Sequence, residues 1–386
     1  MPIMVLLVYG IYLGSLWPLA GNHLFGFISF GNKFVSASES PIPPQYVGNS
    51  SGYDGTFYYR LALNPFSGEE QVQGIRLDNP PYRQQRILLS ALTWVFAQGD
   101  PDLTATIMLV INLLAIVGLT LVGGRLLTNY GLSPWPALLL AFYPGFAISV
   151  ARFLSEPLSF LLLLLSLLNL VHKRYAWGGI VLALAVLARE TALVAALATS
   201  VIWVLQSVFH LKVDRWRAPG PVFWLPAIFA YMIWQVWLLD NWAASTFSST
   251  EQANLLVWPL TGIFFSMKKL LTEWNLANTF FLLMMLATVS WIVLVAFLFR
   301  SAQGSFRWIW LAYLTLAAML GTAVWTNSFA FLRTTTELSV IGMLIYLIVV
   351  RIPHRWVLLA WLGCWLLTAG AQGYHMHLVN QARVVS

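Results

Sequence analysis

Asp54 stands in the run Tyr53-Asp54-Gly55-Thr56-Phe57-Tyr58-Tyr59-Arg60, a lone acid among aromatics and an arginine. A carboxylate held in such a setting, within a chain that is mostly apolar, is a candidate general base. Asp-Gly is also a common turn pair. Aromatics at i+3, i+4 and i+5 predict a short helix starting at Asp54, with its side chain as the cap. On the residues alone, catalysis and capping both stay open. A second group follows in Arg76-x-Asp78-x-Pro80-Pro81-Tyr82-Arg83-x-x-Arg86. Arg83 and Arg86 are spaced i, i+3, which places them on one helical face. Two guanidiniums so placed match a phosphate or diphosphate in geometry, and they equally suit snorkelling to lipid headgroups.

Three more charged pairs recur. Arg152 and Glu156 are spaced i, i+4 just before Pro157, which puts Glu156 at the positive end of a helix. Arg189-Glu190 lies between two short apolar runs, where ionisable residues are functional hypotheses by default. Arg333 and Glu337 repeat the i, i+4 spacing at the start of a late apolar run, with Arg333 the better phosphate ligand. Each pair reads as a substrate contact or as an architectural ion pair. Lys268-Lys269 read as surface charges facing anionic headgroups. His375-x-His377 has too few companions for a metal site and falls in a tail expected to fray. The Asn49 sequon reads as coincidental, and the chain has no P-loop, GxSxG or HExxH.

The elements that must position these residues are apolar helices. The 386-residue chain is 59% hydrophobic and 9% charged, with mean hydropathy +0.74. A soluble domain carries about 25% charged residues, so an all-α, polytopic membrane bundle in a single domain is expected. Spans fall near 4–20, 102–124, 135–151, 157–171, 177–188, 191–209, 221–239, 279–299, 308–325, 338–350 and 356–372. Met4 to Leu19 has no basic flank or small-residue cleavage site and reads as a retained span. With the N-terminus inside, the cytoplasmic loops hold Arg125, Lys173, Arg174, Lys212, Arg215, Arg217, Arg300, Arg307, Arg351 and Arg355, with Asp214 as their one acid. The other thirteen acids fall outside, as the positive-inside rule favours.

Two breaks matter. Ala176 to Phe209 as one helix would run about 50 Å at 1.5 Å per residue, against a hydrocarbon core of about 30 Å. A break at Arg189-Glu190-Thr191 resolves this, and the same logic breaks 135–171 at 152–157. Each break carries an arginine and a glutamate to the outer face. Residues 21–101 form a long extracytoplasmic loop containing Asp54. Ile87 to Phe96 and Leu255 to Met267 are too short to span and read as interfacial or re-entrant helices. Nineteen Trp and fourteen Tyr suit interfacial belts. The single Cys364 excludes an internal disulfide and any cysteine-based metal site. The net charge of +7 is scattered over short loops, which favours lipid phosphate over nucleic acid.

These pieces together resemble the GT-C superfamily of integral-membrane glycosyltransferases, whose donors are polyprenyl-phosphate sugars or their dolichyl equivalents. Tyr53-Asp54-Gly55 with Tyr58-Tyr59 resembles the first-loop acid of that superfamily. The stretch from Leu77-Asp78-Asn79-Pro80 to Arg86, Ser155-Glu156-Pro157 and Arg189-Glu190-Thr191 resemble segments of uncharacterised bacterial relatives. The resemblance implies that Asp54 is the catalytic base. The activity it implies is inverting transfer of a sugar from a polyprenyl-phosphate carrier to an acceptor hydroxyl on a glycan, lipid or cell-envelope molecule. That transfer belongs at the extracytoplasmic face of the bacterial inner (plasma) membrane. Tyr58, Tyr59, Arg60, Asp78, Arg83, Arg86, Arg152, Glu156, Arg189, Glu190, Arg333 and Glu337 are then the expected contacts to substrate or lipid phosphate. Several members pair two acids in the first loop, whereas here Asp54 stands alone; no cofactor is expected, and a divalent metal finds no support in the sequence. A large C-terminal outer domain is not in this sequence, which speaks against protein glycosylation. The alternative is a transporter or flippase of a lipid-linked sugar or anionic solute. Its inverted repeat is not visible, and the deep ionisable residues gather on one face. A noncatalytic scaffold subunit is a third option.

Overall fold

The computed structural model describes residues 1–211, 217–244, 246, 256–273, 275–302, 304–326 and 329–385, with side chains described through 378. The cluster of Lys212, Asp214 and Arg215, and Leu255 at the start of the second short apolar stretch, lie outside the described residues. The fold is all-α. In chain order the helices are α1 (Pro2–Leu16), α2 (Phe25–Ile28), α3 (Asp54–Leu63), α4 (Pro80–Gln84), α5 (Ile87–Ala97), α6 (Pro101–Asn129), α7 (Leu138–Ala141), α8 (Pro144–Ala151), α9 (Glu156–Val171) and α10 (Tyr175–Ala188). There follow α11 (Leu193–Ser207), α12 (Pro221–Trp242), α13 (Thr261–Thr272), α14 (Leu276–Leu298), α15 (Ser305–Met319), α16 (Thr322–Thr326), α17 (Ala330–Thr334), α18 (Thr336–Val350) and α19 (Arg355–Val385).

Among the described residues, five helical stretches are long and apolar enough to cross a membrane: α6, Glu190–Ser207, α12, α14 and Arg355–Leu378. α6 is the clearest. Asp100 accepts from Leu103 N at 2.8 Å, Pro101 sits at the first turn, and the helix runs 29 residues. The other apolar helices, α1, α5, α9, α10 and α18, are shorter. A 15-residue helix such as α18 covers about 22 Å, less than the hydrocarbon core. Some helix ends therefore fall within the thickness of the bundle, and the acids and arginines occupy those ends.

Most expected spans match helices to within a few residues, and the breaks at Arg189–Thr191 and 152–157 are present. Two expected spans are not single helices. Residues 135–151 divide into α7 and α8, because Pro144 lacks a donor N–H and holds Tyr143 in an extended conformation. The expected span 308–325 ends at Met319, where Leu320 turns extended before α16 begins. The second interfacial stretch appears as α13, further along the chain than 255–267. The tail is helical as far as Val385, so His375 lies inside α19 rather than in a frayed end.

Residues 21–101 are a packed layer, not an open loop. β1 (Phe30–Gly31) pairs in parallel with β2 (Val47–Gly48), Phe30 facing Val47. β3 (Gln71–Val72) and β4 (Ile75–Arg76) form a hairpin whose turn residues Gln73 and Gly74 both have positive φ. Phe25, Phe30 and Tyr59 make edge-to-face contacts beneath this layer. α3 packs on α5 and α6 and buries every residue from Gly55 to Leu63, which leaves Asp54, at its start, partly exposed.

Candidate functional site

Asp54 is the first residue of α3, after Tyr53 in extended conformation, and the helix has no side-chain cap. The carboxylate instead turns outward between two arginines. Oδ1 accepts from Arg83 Nη1 at 2.8 Å and Oδ2 from Arg333 Nη2 at 2.9 Å. Of the two readings of this residue, capping has no hydrogen bond behind it. Burial alone would raise its pKa, but Arg83, Arg333 and Arg86 outweigh burial and hold the carboxyl far below the usual range.

Arg83 carries a second acid. Its Nε and Nη2 donate to Asp78 at 2.7 and 2.6 Å, a bidentate fork, while its guanidinium lies 4.2 Å from the Phe57 ring centre. Burial disfavours this charge, yet Asp54 and Asp78 more than compensate and push its pKa up. The expected shared face with Arg86 does not form. α4 ends at Gln84, and Arg86 leaves in a different direction as the residue before α5. There it grips Glu190 through Nε at 2.7 Å and through Nη2, with the Tyr58 and Tyr82 hydroxyls at 3.4 and 3.2 Å.

Neither expected i, i+4 pair is formed between its own two members, which meet other residues instead. Arg152 closes α8, and Phe153 then takes a left-handed conformation (φ +55°), a strained choice for a bulky residue. The chain turns, Glu156 starts α9, and the two side chains no longer share a helix. Glu156 accepts from Arg333 Nε at 2.9 Å and faces Arg189 at 3.9 Å. Arg152 reaches Phe27 O at 3.4 Å and His375 Nδ1 at 3.2 Å, 5.6 Å from the Tyr53 ring. Glu337 pairs not with Arg333 but with Arg189 at 3.6 Å and with the Thr191 hydroxyl at 2.6 Å. Arg189 also donates to the Arg333 carbonyl at 3.0 Å, tying the α10 break to α17.

Glycine permits these approaches. A Cβ on Gly55 would stand 2.4 Å from Arg152 O, and one on Gly145 would stand 2.6 Å from Leu332 O. Two expected site residues turn away. Tyr59 donates to Pro101 O at 3.0 Å. Arg60 is fully buried, and among the described residues none of its guanidinium nitrogens has a hydrogen-bond partner. Burial lowers its pKa to about 10, offset in part by Glu69.

Exposure divides the network. Asp54, Asp78 and Glu190 have side chains 26%, 25% and 24% exposed, whereas Glu156 and Glu337 are at 1% and 3%. The first three form an accessible rim, and the last two brace Arg333 and Arg189 from behind. Sequence reasoning missed the hydroxyls that finish the site. The Tyr53 hydroxyl accepts from Arg333 Nη1 at 2.8 Å, the Ser155 hydroxyl donates to the Tyr58 hydroxyl at 3.4 Å, and the Tyr143 hydroxyl donates to Leu332 O at 2.6 Å. Tyr53 and Ser155 adjoin Asp54 and Glu156, which was the available signal; nothing local marks Tyr143. Among the described residues no group of three His, Cys, Asp or Glu side chains gathers as a metal site requires.

No family model matches the sequence, and no curated protein matches it either. In shape the chain is similar to two crystal structures of the Archaeoglobus fulgidus oligosaccharyltransferase. The apo form gives a TM-score of 0.44 and 12% identity over 96% of this chain and 56% of that one. The form tethered through a disulfide to an acceptor peptide containing the NVT sequon gives 0.39 and 13% over 96% and 55%. The chain therefore spans about half the length of these structures, and the roles assigned to its residues rest on its own geometry.

Proposed function

We propose that the protein is a membrane glycosyltransferase that moves a sugar from a polyprenyl-phosphate carrier to an acceptor hydroxyl at the extracytoplasmic face, with inversion. The observation that carries this reading is Asp54, an accessible carboxylate at a helix start, held at one oxygen by Arg83 and at the other by Arg333. In the reaction the acceptor oxygen attacks the anomeric carbon and its proton passes to Asp54. The bond from that carbon to the phosphate oxygen breaks, and the electron pair leaves with the phosphate. Arg83 and Arg333 stand where they can take up that charge, as preorganised donors do. One displacement inverts the anomeric centre.

A carboxylate held at so low a pKa is a weak base. Donor phosphate that shares Arg83 and Arg333 draws their charge away from Asp54 and returns its carboxyl toward the ordinary range. The same two arginines thus link donor binding to base strength. Glu156 and Arg189 keep Arg333 in place, and Arg86 with Glu190 closes the other side of the rim. The partners in this reading are the lipid-linked donor, a glycan, lipid or envelope acceptor, and the surrounding membrane lipids. The guanidiniums supply the positive charge, and no cofactor is part of the proposal.

The test is turnover of a radiolabelled polyprenyl-phosphate sugar by purified protein. Asp54→Asn should cost about 10²–10⁴-fold, the usual contribution of a general base. A folded variant with wild-type turnover overturns the assignment.

A further inference from the structure

Arg83 holds its two acids differently. Asp54 takes a single nitrogen, Nη1, whereas Asp78 takes the whole Nε/Nη2 edge with two short, parallel bonds. That edge is the one an arginine offers to two oxygens of a phosphate. We propose that Asp78 is an internal stand-in for substrate phosphate, and that the Nε/Nη2 edge of Arg83 is the phosphate subsite it covers. This rests on the glycosyl-transfer reading for the identity of the phosphate, a polyprenyl phosphate ester, and adds which acid must leave to admit it.

Phosphate on that edge requires a departure. Among the described residues the network's ion pairs join Asp54, Asp78, Glu156, Glu190 and Glu337 to Arg83, Arg86, Arg189 and Arg333. A guanidinium edge already filled by both oxygens of a carboxylate takes a phosphate only if that acid gives way. Glu156 and Glu337 are sealed in the interior, and Asp54 is held by two arginines at once. Glu190 is at the rim, but the arginine it holds, Arg86, does not touch Asp54. Asp78 is the rim acid that holds an arginine shared with Asp54 while being bound to that arginine only, and it lies on a short turn between β4 and α4. Arg83 itself stays fixed when Asp78 swings out, because Asp54 and the Phe57 ring still hold it. A phosphate on that edge lies one guanidinium away from the base.

A competing role is structural. Asp78 Oδ1 also accepts from Asn79 N at 2.7 Å, at the entry to α4. If Asp78 only fastens this turn, removing it loosens Arg83 and weakens anion binding. The two roles predict opposite signs.

The experiment is binding of farnesyl phosphate, and separately of inorganic phosphate, to the purified full chain in detergent. It uses wild type, Asp78→Asn, Asp78→Ser, Arg83→Gln and the Asp78→Asn/Arg83→Gln double variant. Asp78→Ser keeps an acceptor for the Asn79 N–H and guards against a folding failure of Asp78→Asn, with a melting curve as the check on each. Loss of the competing carboxylate should tighten farnesyl phosphate binding about three- to tenfold, the range of a partly exposed ion pair. The gain should vanish when Arg83 is also replaced. Tightening for farnesyl phosphate beyond that for inorganic phosphate marks a lipid-linked ligand, and equal tightening marks phosphate recognition alone; both support the subsite. Unchanged or weaker binding in both Asp78 variants overturns it, as does a gain that survives Arg83→Gln. None of these readings uses turnover, so a failure of the subsite is separate from a failure of Asp54 as base.

Discussion

Arg333 Nη2 lies 2.9 Å from Asp54 Oδ2 although the two residues are 279 positions apart, and the same nitrogen stands 2.9 Å from Glu156. One guanidinium thus joins the first packed layer, the start of α9 and the short helix α17. Its removal strands Glu156, whose side chain is 1% exposed and whose next arginine is 3.9 Å away. Arg333→Gln is therefore expected to destabilise the protein by about 3–5 kcal/mol, the usual result of breaking a buried pair on one side. Arg333→Met combined with Glu156→Leu should regain much of that loss, because no buried charge is left uncompensated. Thermal unfolding in detergent, with ligand absent, measures both. A double variant no more stable than the single one contradicts the account.

The acid range gives a second expectation. The Asp54 carboxyl is depressed in the folded state by Arg83 and Arg333. A depressed carboxylate adds stability above its unfolded pKa of about 3.9 and loses it as pH falls through the folded value. Stability traceable to Asp54 should hence be flat from about pH 5 to 8 and decline only below about pH 4. Melting curves of wild type and Asp54→Asn across that range should differ by a constant above pH 5. A difference that grows between pH 5 and 8 places the carboxyl's titration where this geometry does not.

How far the site was legible from residues alone follows the range of each signal. The helix at Asp54, the breaks at Arg189 and 152–157, and the long apolar α6 rest on local patterns, and all are present. The charged residues of the rim were identifiable because ionisable groups are rare in this chain. Their partners were not. Arg152 and Glu156 have helical spacing, and only the left-handed Phe153 sends them to different neighbours. Arg333 and Glu337 part for a similar reason, since α17 stops at Thr334 before α18 starts. Arg86 meets Glu190 across 104 residues, a contact decided by packing of α5 against α10 and invisible to any window. Periodicity predicts faces, and tertiary packing decides which faces meet.

Divalent metal supplies a third test. The accessible acids Asp54, Asp78 and Glu190 each face a guanidinium at hydrogen-bond distance, so the positive charge at this rim is covalently part of the chain. Turnover and farnesyl phosphate binding are expected to survive exhaustive dialysis against a chelator, with less than a twofold change on adding back Mg²⁺ or Mn²⁺. A loss of tenfold or more that metal restores would mean that an ion replaces one of these arginine contacts in the working complex.

Arg60 supplies the last, because it shares α3 with Asp54 yet makes none of the ion pairs of the site. Its side chain is fully buried, its guanidinium nitrogens have no partner among the described residues, and burial lowers its pKa to about 10. An unsatisfied buried donor costs about 1–3 kcal/mol, and more when charged. Methionine keeps most of the aliphatic stem and removes the charge. Arg60→Met is therefore expected to raise the unfolding midpoint and leave donor turnover within about twofold of wild type, provided the stem packs as before. The control is Arg83→Gln, whose guanidinium touches Asp54 and whose loss should abolish turnover without any gain in stability. If Arg60→Met instead destroys turnover while the fold persists, α3 presents a second working arginine, and the boundary drawn around the site by Asp54, Arg83 and Arg333 is too narrow.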